Sequence, residues 1–155
     1  MTKSPFHRTV LNWLSRRDYS QQEIRQKLKA KSCTPDEIET LIADLLQAGL
    51  INDLRFAENF VYWRSKKGYG PHRIAAELQA RGIADDVIAE KLSVPADVWL
   101  AEIHKVWQKH FKGKQPTNFK ERAKQIRFLQ YRGFTREQVD SVLLNKDAEI
   151  ERIDV

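Results

Sequence analysis

The chain has 155 residues, of which 41% are hydrophobic and 31% are charged, so it can form a core and is not expected to be disordered. Its single cysteine, Cys33, cannot form an intramolecular disulfide, and residues 1–10 lack the apolar run of a signal peptide, so we expect a cytoplasmic protein. No stretch approaches the roughly eighteen consecutive apolar residues of a membrane-spanning helix, so we expect no membrane partner. The formal net charge of +6 indicates an anionic partner, most often a nucleic acid.

Helix signals run along the whole chain, and strand signals are missing. Capping boxes mark three helix starts, at SQQE (20–23), TPDE (34–37) and TREQ (135–138), and glycines after apolar-periodic runs mark helix ends. These signals predict nine helices, near residues 5–17, 20–31, 34–48, 53–67, 70–81, 84–92, 97–112, 118–131 and 135–144. The predicted fold class is therefore all-α.

The fourth predicted helix begins with DLRF, residues 53–56, which resembles a catalytic acid beside a base. A structural interpretation is simpler. We expect Asp53 to be the N-cap of this helix, and Phe56, Phe60 and Trp63 to form a buried stripe at helical spacing.

The stretch KKGYGPHRI, residues 66–74, fits either a phosphate-binding loop or a joint between two helices. The joint is favoured, because Gly68 suits the left-handed position that ends a helix and Pro71 suits the first turn of the next. Phosphate loops follow a hydrophobic strand, and none precedes this stretch.

The sequence repeats at an interval of about fifty residues. YSQQEIRQKLKAKSCTPDEI, from Tyr19, aligns without a gap on YGPHRIAAELQARGIADDVI, from Tyr69. LQARGIADDVIAEKL, from Leu78, aligns in turn on LQYRGFTREQVDSVL, from Leu129, which brings the Arg-Gly pairs of both copies into register. The nine helices therefore fall into three sets of three.

The repeat defines three tandem three-helix modules, at residues 1–50, 51–96 and 97–146, followed by a C-terminal tail at 147–155. A module of this size is too small to bury its apolar faces well alone. We expect the modules to stack into an elongated, curved solenoid.

The basic residues are concentrated in the last module. Residues 1–50, 51–100 and 101–155 carry net charges of +2, 0 and +4. Between Lys105 and Arg136 ten lysines and arginines are accompanied by one acid, Glu121. A solvated helix face normally intersperses acids among its bases, so this segment favours contact with an anion.

On the eighth predicted helix, charge and core are expected to occupy different faces. Lys120, Lys124, Arg127 and Tyr131 fall on one arc, and Phe119, Ala123 and Ile126 are expected on the core face. The seventh predicted helix is expected to show the same separation, with its cations on the face opposite Leu100, Ile103, Trp107 and Phe111. The predicted contact residues for nucleic acid or a protein–DNA filament are Lys105, Lys109, Lys112, Lys120, Lys124, Arg127, Tyr131 and Arg132.

Basic residues around the joint are predicted as secondary phosphate contacts. They are Arg64, Lys66, Lys67, His72 and Arg73. The alternative for Arg132, and for its equivalents Lys31 and Arg81, is structural: a cation near a helix end offsets the negative end of the helix dipole.

No catalytic or metal-binding pattern is found. The four histidines lack the spacing of a metal pair on one helix face, and no serine or cysteine lies in a nucleophile motif. No cluster of Asp and Glu suggests a two-metal nuclease. We therefore expect neither an enzyme nor a cofactor.

Residues 52–83, NDLRFAENFVYWRSKKGYGPHRIAAELQARGI, resemble the signature of the RecX family of regulatory proteins. The resemblance includes Arg-Phe-Ala, an aromatic-Val step, a basic run and Gly-Tyr-Gly-Pro, and it covers most of residues 9–143. Asn52 departs from it, standing where the family usually has an acid. Tyr62, Trp63, Ala75 and Ala76 also depart, so we expect module two to contact DNA less.

The resemblance implies a function in DNA repair, DNA recombination and the SOS response. A RecX-family protein is expected to be a cytoplasmic monomer that binds the RecA nucleoprotein filament on single-stranded DNA and inhibits its recombinase and coprotease activities. Double-stranded DNA is a further candidate partner. Two alternatives stay open: a DNA-binding protein acting without RecA, non-specific or of the helix-turn-helix type, and a solenoid that binds acidic protein surfaces.

Overall fold

The computed structural model describes residues 5–143, and in that range it contains nine α-helices and no strand. The helices are α1 (His7–Leu14), α2 (Gln21–Ala30), α3 (Pro35–Gln47), α4 (Asp53–Lys66), α5 (Pro71–Ala80), α6 (Asp85–Leu92), α7 (Ala96–Phe111), α8 (Phe119–Tyr131) and α9 (Arg136–Val142). The predicted all-α fold is confirmed. Apart from α1 and the end of α9, the predicted helix ends agree with these to within one residue. The predicted tail at 147–155 and the last residues of module three, 144–146, lie outside the described residues.

The first helix is shorter than predicted and ends at Leu14. The backbone N–H groups of Arg16 and Arg17 both donate to the carbonyl oxygen of Trp13, at 3.1 and 3.4 Å. This shared acceptor closes a tight turn, so the chain leaves the helix before residue 17.

All three predicted capping boxes are present. The side chains of Ser20, Thr34 and Thr135 each accept from the backbone N–H three residues later, and the residue there bonds back to the cap. These reciprocal bonds satisfy backbone donors that an uncapped helix leaves open, which fixes where α2, α3 and α9 begin.

The prediction that Asp53 caps α4 is wrong. Asn52 Oδ1 accepts from the N–H groups of Leu54 and Arg55, at 2.9 and 3.2 Å, so the asparagine is the cap. Asp53 is the first residue of the helix, and its Oδ1 accepts from the N–H of Gln21 at 2.9 Å. Asp53 thereby satisfies an N-terminal donor of α2 rather than of its own helix.

The chain forms two compact units, one of residues 5–60 with 77–91 and the other of 61–76 with 92–143. The core of the first contains side chains from α1, α2 and α3, among them Val10, Ile24, Leu28 and Leu45, which are fully buried. In the second, α9 packs against α7 and α8. Buried side chains of this unit include Ile74, Trp99, Ile103, Trp107, Leu129, Phe134 and Val139.

The predicted buried stripe on α4 is wrong at one position. Phe56 is buried and its ring lies 5.7 Å from that of Phe60, but Trp63 is 63% exposed. The buried positions run instead along Ala57, Val61 and Ser65, at a spacing of four residues. Trp63 lies two residues beyond Val61, which places it on the opposite side of the helix.

The stretch at 66–74 is a joint between helices, as predicted. Gly68 follows α4 with φ +94°, and Pro71 is the first residue of α5. A Cβ atom on Gly68 would lie 3.0 Å from Cγ2 of Val106, so the glycine is also required by a close approach within the second unit.

Candidate anion-binding surface

The predicted cationic arc of α8 is exposed. Lys120, Lys124 and Arg127 all face solvent, and among residues 5–143 none of them has an acidic partner within ion-pair distance. Tyr131 is 77% exposed, and the guanidinium carbon of Arg73 lies 5.4 Å from its ring centroid. This surface, Lys120, Lys124, Arg127 and Tyr131, is called the α8 face below.

The predicted core face of α8 is wrong at two positions. Phe119 is 76% exposed and Ala123 is exposed, whereas Gln125 and Leu129 are buried. The amide of Gln125 is fully engaged: its Oε1 accepts from Trp107 Nε1 at 3.0 Å and its Nε2 donates to the Lys114 carbonyl at 3.0 Å. Because both polar atoms are satisfied, a glutamine can occupy a core position that the hydrophobic pattern alone could not identify.

The basic side of α7 is exposed at Lys105 and Lys109, and Lys112 follows the helix in the left-handed conformation, with φ 57°. The predicted core side of this helix is right at Ile103 and Trp107 and wrong at Leu100, which is 39% exposed. Trp99 is buried in place of Leu100.

A groove of about 300 Å³ brings several of the predicted residues together within the second unit. Its basic lining residues are Lys66, Lys67, Lys105, Lys109 and Arg132. The remaining lining residues are Gly68, Glu102, Val106, His110 and Phe128. The primary and secondary sets predicted from the sequence therefore meet here, at a place called the basic groove below.

Among residues 5–143, Glu102 is the one carboxylate that lines the basic groove, and it is 5% exposed. Its Oε1 accepts a hydrogen bond from Lys66 Nζ at 2.7 Å and lies 3.6 Å from Lys105 Nζ. A buried carboxylate is costly unless it is paired, so the two ammonium groups stabilise Glu102 and are in turn held at the groove. The hydrogen bond to Glu102 and its negative charge raise the pKa of Lys66, which keeps this lysine charged.

Three guanidinium groups surround the ring of Tyr69. The guanidinium carbons of Arg64, Arg73 and Arg132 lie 4.0, 4.4 and 5.1 Å from the ring centroid. Attraction to the electron-rich ring holds these like charges close to one another. Arg132 is shared, because it also lines the basic groove and lies 5.3 Å from the ring of Phe128.

The secondary set is thus divided. Lys66 and Lys67 line the basic groove, whereas Arg64 and Arg73 lie at Tyr69. The His72 side chain is exposed and does not line the groove; its backbone N–H donates to the carbonyl of Gly133 at 2.9 Å.

Metal sites and membrane spans are absent from residues 5–143. No group of three or more His, Cys, Asp or Glu side chains in this range is placed to hold a metal ion. No helix in the same range is long and apolar enough to cross a membrane.

Comparison with protein-family models matches the three domains of one family in order along the chain. Residues 8–45 match the first three-helix domain of RecX, residues 52–92 the second and residues 100–143 the third. The chain belongs to the RecX family. This confirms the resemblance found in residues 52–83 and the presence of three helical repeats.

Curated relatives support this membership over most of the chain. Regulatory protein RecX of Pseudomonas fluorescens (strain SBW25) is 38% identical over 140 residues, which cover 90% of each chain. Regulatory protein RecX of Pseudomonas putida (strain GB-1) is 36% identical over 146 residues, 94% of each chain.

Solved RecX structures share the fold. The crystal structure of RecX from Lactobacillus salivarius matches with a TM-score of 0.75 and 22% identity, covering 96% of this chain and 94% of that one. A crystal structure of regulatory protein RecX matches with a TM-score of 0.78 and 23% identity, covering 88% of this chain and 70% of that one.

Sequence patterns in this RecX-family chain did not reveal Glu102 or Tyr69. Glu102 lies three residues before Lys105 on α7, a spacing that local pattern can show, but its pairing with Lys66, thirty-six residues away, follows from the tertiary structure. Tyr69 does have a sequence signal, because the repeat aligns it with Tyr19. The structure shows that Tyr19 also lies under a cation, with the Arg17 guanidinium carbon 3.7 Å from its ring centroid.

Proposed function

We propose that this chain binds the RecA filament on single-stranded DNA and restrains its recombinase and coprotease activities. Membership of a family of regulatory proteins supports a regulatory function. The observation that carries the proposal is the α8 face, where exposed cations without acidic partners in the described chain lie beside an exposed tyrosine.

The chemistry of the α8 face suits a filament that contains single-stranded DNA. Lysine and arginine neutralise phosphates without regard to sequence, and an exposed aromatic ring can stack on an unpaired base. Sequence-independent contact is what a regulator needs if it binds wherever RecA has assembled. The other predicted contact residues, Lys105, Lys109, Lys112 and Arg132, are proposed to contact the same filament.

We further propose that the protein acts as a monomer and catalyses no reaction itself. The chain alone should neither cut DNA nor hydrolyse nucleotide, and its inhibition of RecA should need fewer copies than there are RecA subunits if it acts along a cooperative filament. Double-stranded DNA is a weaker proposed partner than single-stranded DNA, because its bases are stacked and cannot meet Tyr131.

The test measures RecA-dependent ATP turnover, strand exchange and coprotease activity on single-stranded DNA with increasing amounts of the protein. We expect all three to fall, and the Lys120→Glu/Lys124→Glu/Arg127→Glu variant to inhibit less. A control variant, Arg16→Glu/Lys29→Glu/Lys31→Glu, makes the same charge change at exposed positions of the first unit and should inhibit nearly as well as the parent.

Undiminished RecA activity at saturating protein would contradict the proposal. Tight DNA binding in that case would favour a DNA-binding protein that acts without RecA. Capture of RecA from a cell extract, with and without nuclease treatment, separates direct binding to RecA from binding through DNA.

A further inference from the structure

We propose that the basic groove is a binding site for phosphate groups, separate from the open α8 face. Five basic side chains and one carboxylate line it, which leaves a formal surplus of four positive charges with His110 counted as neutral. The site does not depend on RecA, so it can be tested with the isolated chain.

The groove differs from a solvated surface because part of it is fixed by a buried group. Glu102 is almost fully buried, and its carboxylate holds Lys66 at 2.7 Å and Lys105 at 3.6 Å. An exposed lysine loses much side-chain entropy when a ligand orders it. Lysines already held by Glu102 would lose less, so the groove is preorganised for an anion.

The charge of the other cations is not neutralised by the protein. Within residues 5–143, Lys67, Lys109 and Arg132 have no carboxylate partner within ion-pair distance. Arg132 is positioned by two rings, with its guanidinium carbon 5.1 Å from the centroid of Tyr69 and 5.3 Å from that of Phe128. A planar guanidinium held in this way can offer two parallel N–H donors to a phosphate.

The walls of the groove leave room for a ligand of limited size. Gly68 contributes no side chain, and Phe128 is stacked with His110 at a centroid distance of 3.7 Å and an interplanar angle of 13°. The volume of about 300 Å³ lies at the lower end of the range for small-ligand pockets. One or two phosphate groups, with part of what they are attached to, would fit.

The cations of the basic groove are suited to bind phosphate oxygens, and two kinds of ligand supply these. One source is the phosphodiester backbone of a nucleic acid strand, and the other is the polyphosphate of a free nucleotide. The two differ in whether the anion continues beyond the groove toward the α8 face.

Two probes distinguish the sources: sodium tripolyphosphate, and an abasic phosphodiester oligomer that lacks bases to stack. Binding is measured by calorimetry and by backbone amide NMR at low salt. We expect saturable binding of at least one probe, with shifts of the Gly68 and Arg132 amides. Shifts with tripolyphosphate alone identify a free-phosphate site, and shifts with the oligomer, displaced by tripolyphosphate, identify a backbone site.

Matched variants test the location. Lys67→Gln/Lys109→Gln removes two exposed groove cations and should weaken the binding of tripolyphosphate by about tenfold or more. A tenfold loss corresponds to about 1.4 kcal/mol of lost charge-assisted hydrogen bonding. Lys120→Gln/Lys124→Gln removes the same charge from the α8 face and should change the affinity for tripolyphosphate by less than about twofold.

Equal weakening of tripolyphosphate binding by the two pairs, or saturation without shifts at Gly68 and Arg132, would overturn the proposal and show that only diffuse charge attracts the anion. Neither result bears on RecA inhibition, which is measured separately with the α8-face variant. Failure of the groove and failure of the proposed function are therefore distinguishable.

Discussion

The backbone N–H of Gly70 donates to the carbonyl oxygen of Arg132 at 2.8 Å, which joins the start of α5 to the end of α8. The repeat places Ser20 at the position of Gly70 and Arg81 at that of Arg132. In the first unit Ser20 Oγ donates to the Arg81 carbonyl at 2.7 Å. Two aligned pairs of residues therefore make the same junction with different donors.

This recurrence explains why the second helices of modules two and three are both followed by an Arg-Gly pair, at residues 81–82 and 132–133. The carbonyl before the glycine accepts a hydrogen bond from the start of another second helix, and the glycine allows that helix to come close. A Cβ atom on Gly82 would collide with the side chain of Gln22, and one on Gly133 would collide with Cβ of Arg73. The module boundaries at residues 50 and 96 stay a prediction, because the compact units run through module two.

Replacing Gly70 by alanine should destabilise the second unit. The added Cβ would lie 2.5 Å from backbone atoms of Gly133 and Phe134, which cannot move aside as a flexible side chain can. We expect a loss of about 2–3 kcal/mol in the free energy of unfolding, typical of overpacking at a rigid site. Urea unfolding followed by circular dichroism measures it.

Gly49→Ala is the matched control for that experiment. Gly49 has φ +70°, but no atom lies within 4 Å of the position that an added Cβ would take, so only the left-handed backbone opposes an alanine there. The free energy of unfolding of Gly49→Ala should therefore fall by about 1–2 kcal/mol. A Gly70→Ala variant as stable as the parent would show that the junction is loose.

Ser20→Ala should cost more stability than Thr34→Ala, although both residues are helix caps. Ser20 is fully buried, and its hydroxyl accepts from the Glu23 N–H and donates to the Arg81 carbonyl. Thr34 is exposed, and both hydrogen bonds of its hydroxyl are made to Glu37 of its own helix. We expect about 1 kcal/mol for Thr34→Ala and about 2 kcal/mol for Ser20→Ala, since the latter also leaves a buried carbonyl without its donor. Equal losses in chemical denaturation would mean that the Ser20–Arg81 bond contributes nothing.

Asp53 should make the stability of the protein sensitive to acid pH. Burial raises the pKa of its carboxyl, and the hydrogen bond from Gln21 and the charge of Arg25 oppose the change only in part. The folded state therefore holds this proton more tightly than the unfolded state. Its stabilising contribution is present below the unfolded pKa and is lost as pH rises through the folded pKa.

Asp53→Asn keeps an acceptor for the Gln21 N–H without a titrating charge. We expect this variant to gain stability relative to the parent as pH rises from about 3 to 7. Asp53→Ala should be about 1 kcal/mol less stable than Asp53→Asn at every pH, because it leaves the α2 donor without an acceptor. Thermal unfolding across this pH range measures both. A parent and an Asn variant with parallel pH profiles would show that Asp53 is not perturbed by burial.

The sequence was sufficient to predict where the helices begin and end, but not which residues of each helix are buried. Both outcomes have physical reasons. Capping boxes and glycine stops act within four residues, so the starts at Ser20, Thr34 and Thr135 could be predicted from local pattern alone. Asn52 and Asp53 are both good caps, and the choice between them depends on Gln21, which the pattern does not show. The buried Gln125 is likewise stable only because Trp107 and Lys114 satisfy its amide.

The cationic arc of α8 was predictable because its exposure follows from helical spacing, but the basic groove was not. The groove needs α4, α7 and α8 to meet, and Glu102 to turn inward and hold lysines from two helices. The order of charges along the chain does not show which helices pack together.

The salt dependence of DNA binding is the sharpest test of the α8 face. If Lys120, Lys124 and Arg127 each neutralise one phosphate of a single strand, the affinity should fall with salt at about 0.7 of a logarithmic unit per phosphate, largely without regard to sequence. Reversing all three charges to Glu should flatten the slope by about 2 logarithmic units per logarithmic unit of salt.

The control for this slope must change charge without disturbing an ion pair. Arg25 is unsuitable, because its Nε lies 2.8 Å from a carboxylate oxygen of Glu39. Arg16, Lys29 and Lys31 are exposed and have no acidic partner in the described chain, so reversing them should change the slope by less than about 1 unit. The three α8 positions are also exposed, so both variants should keep the helical circular dichroism of the parent. Equal slopes for the two variants and the parent would mean that the cations of α8 serve solubility or a protein partner, because a surface that does not release counterions does not contact phosphate.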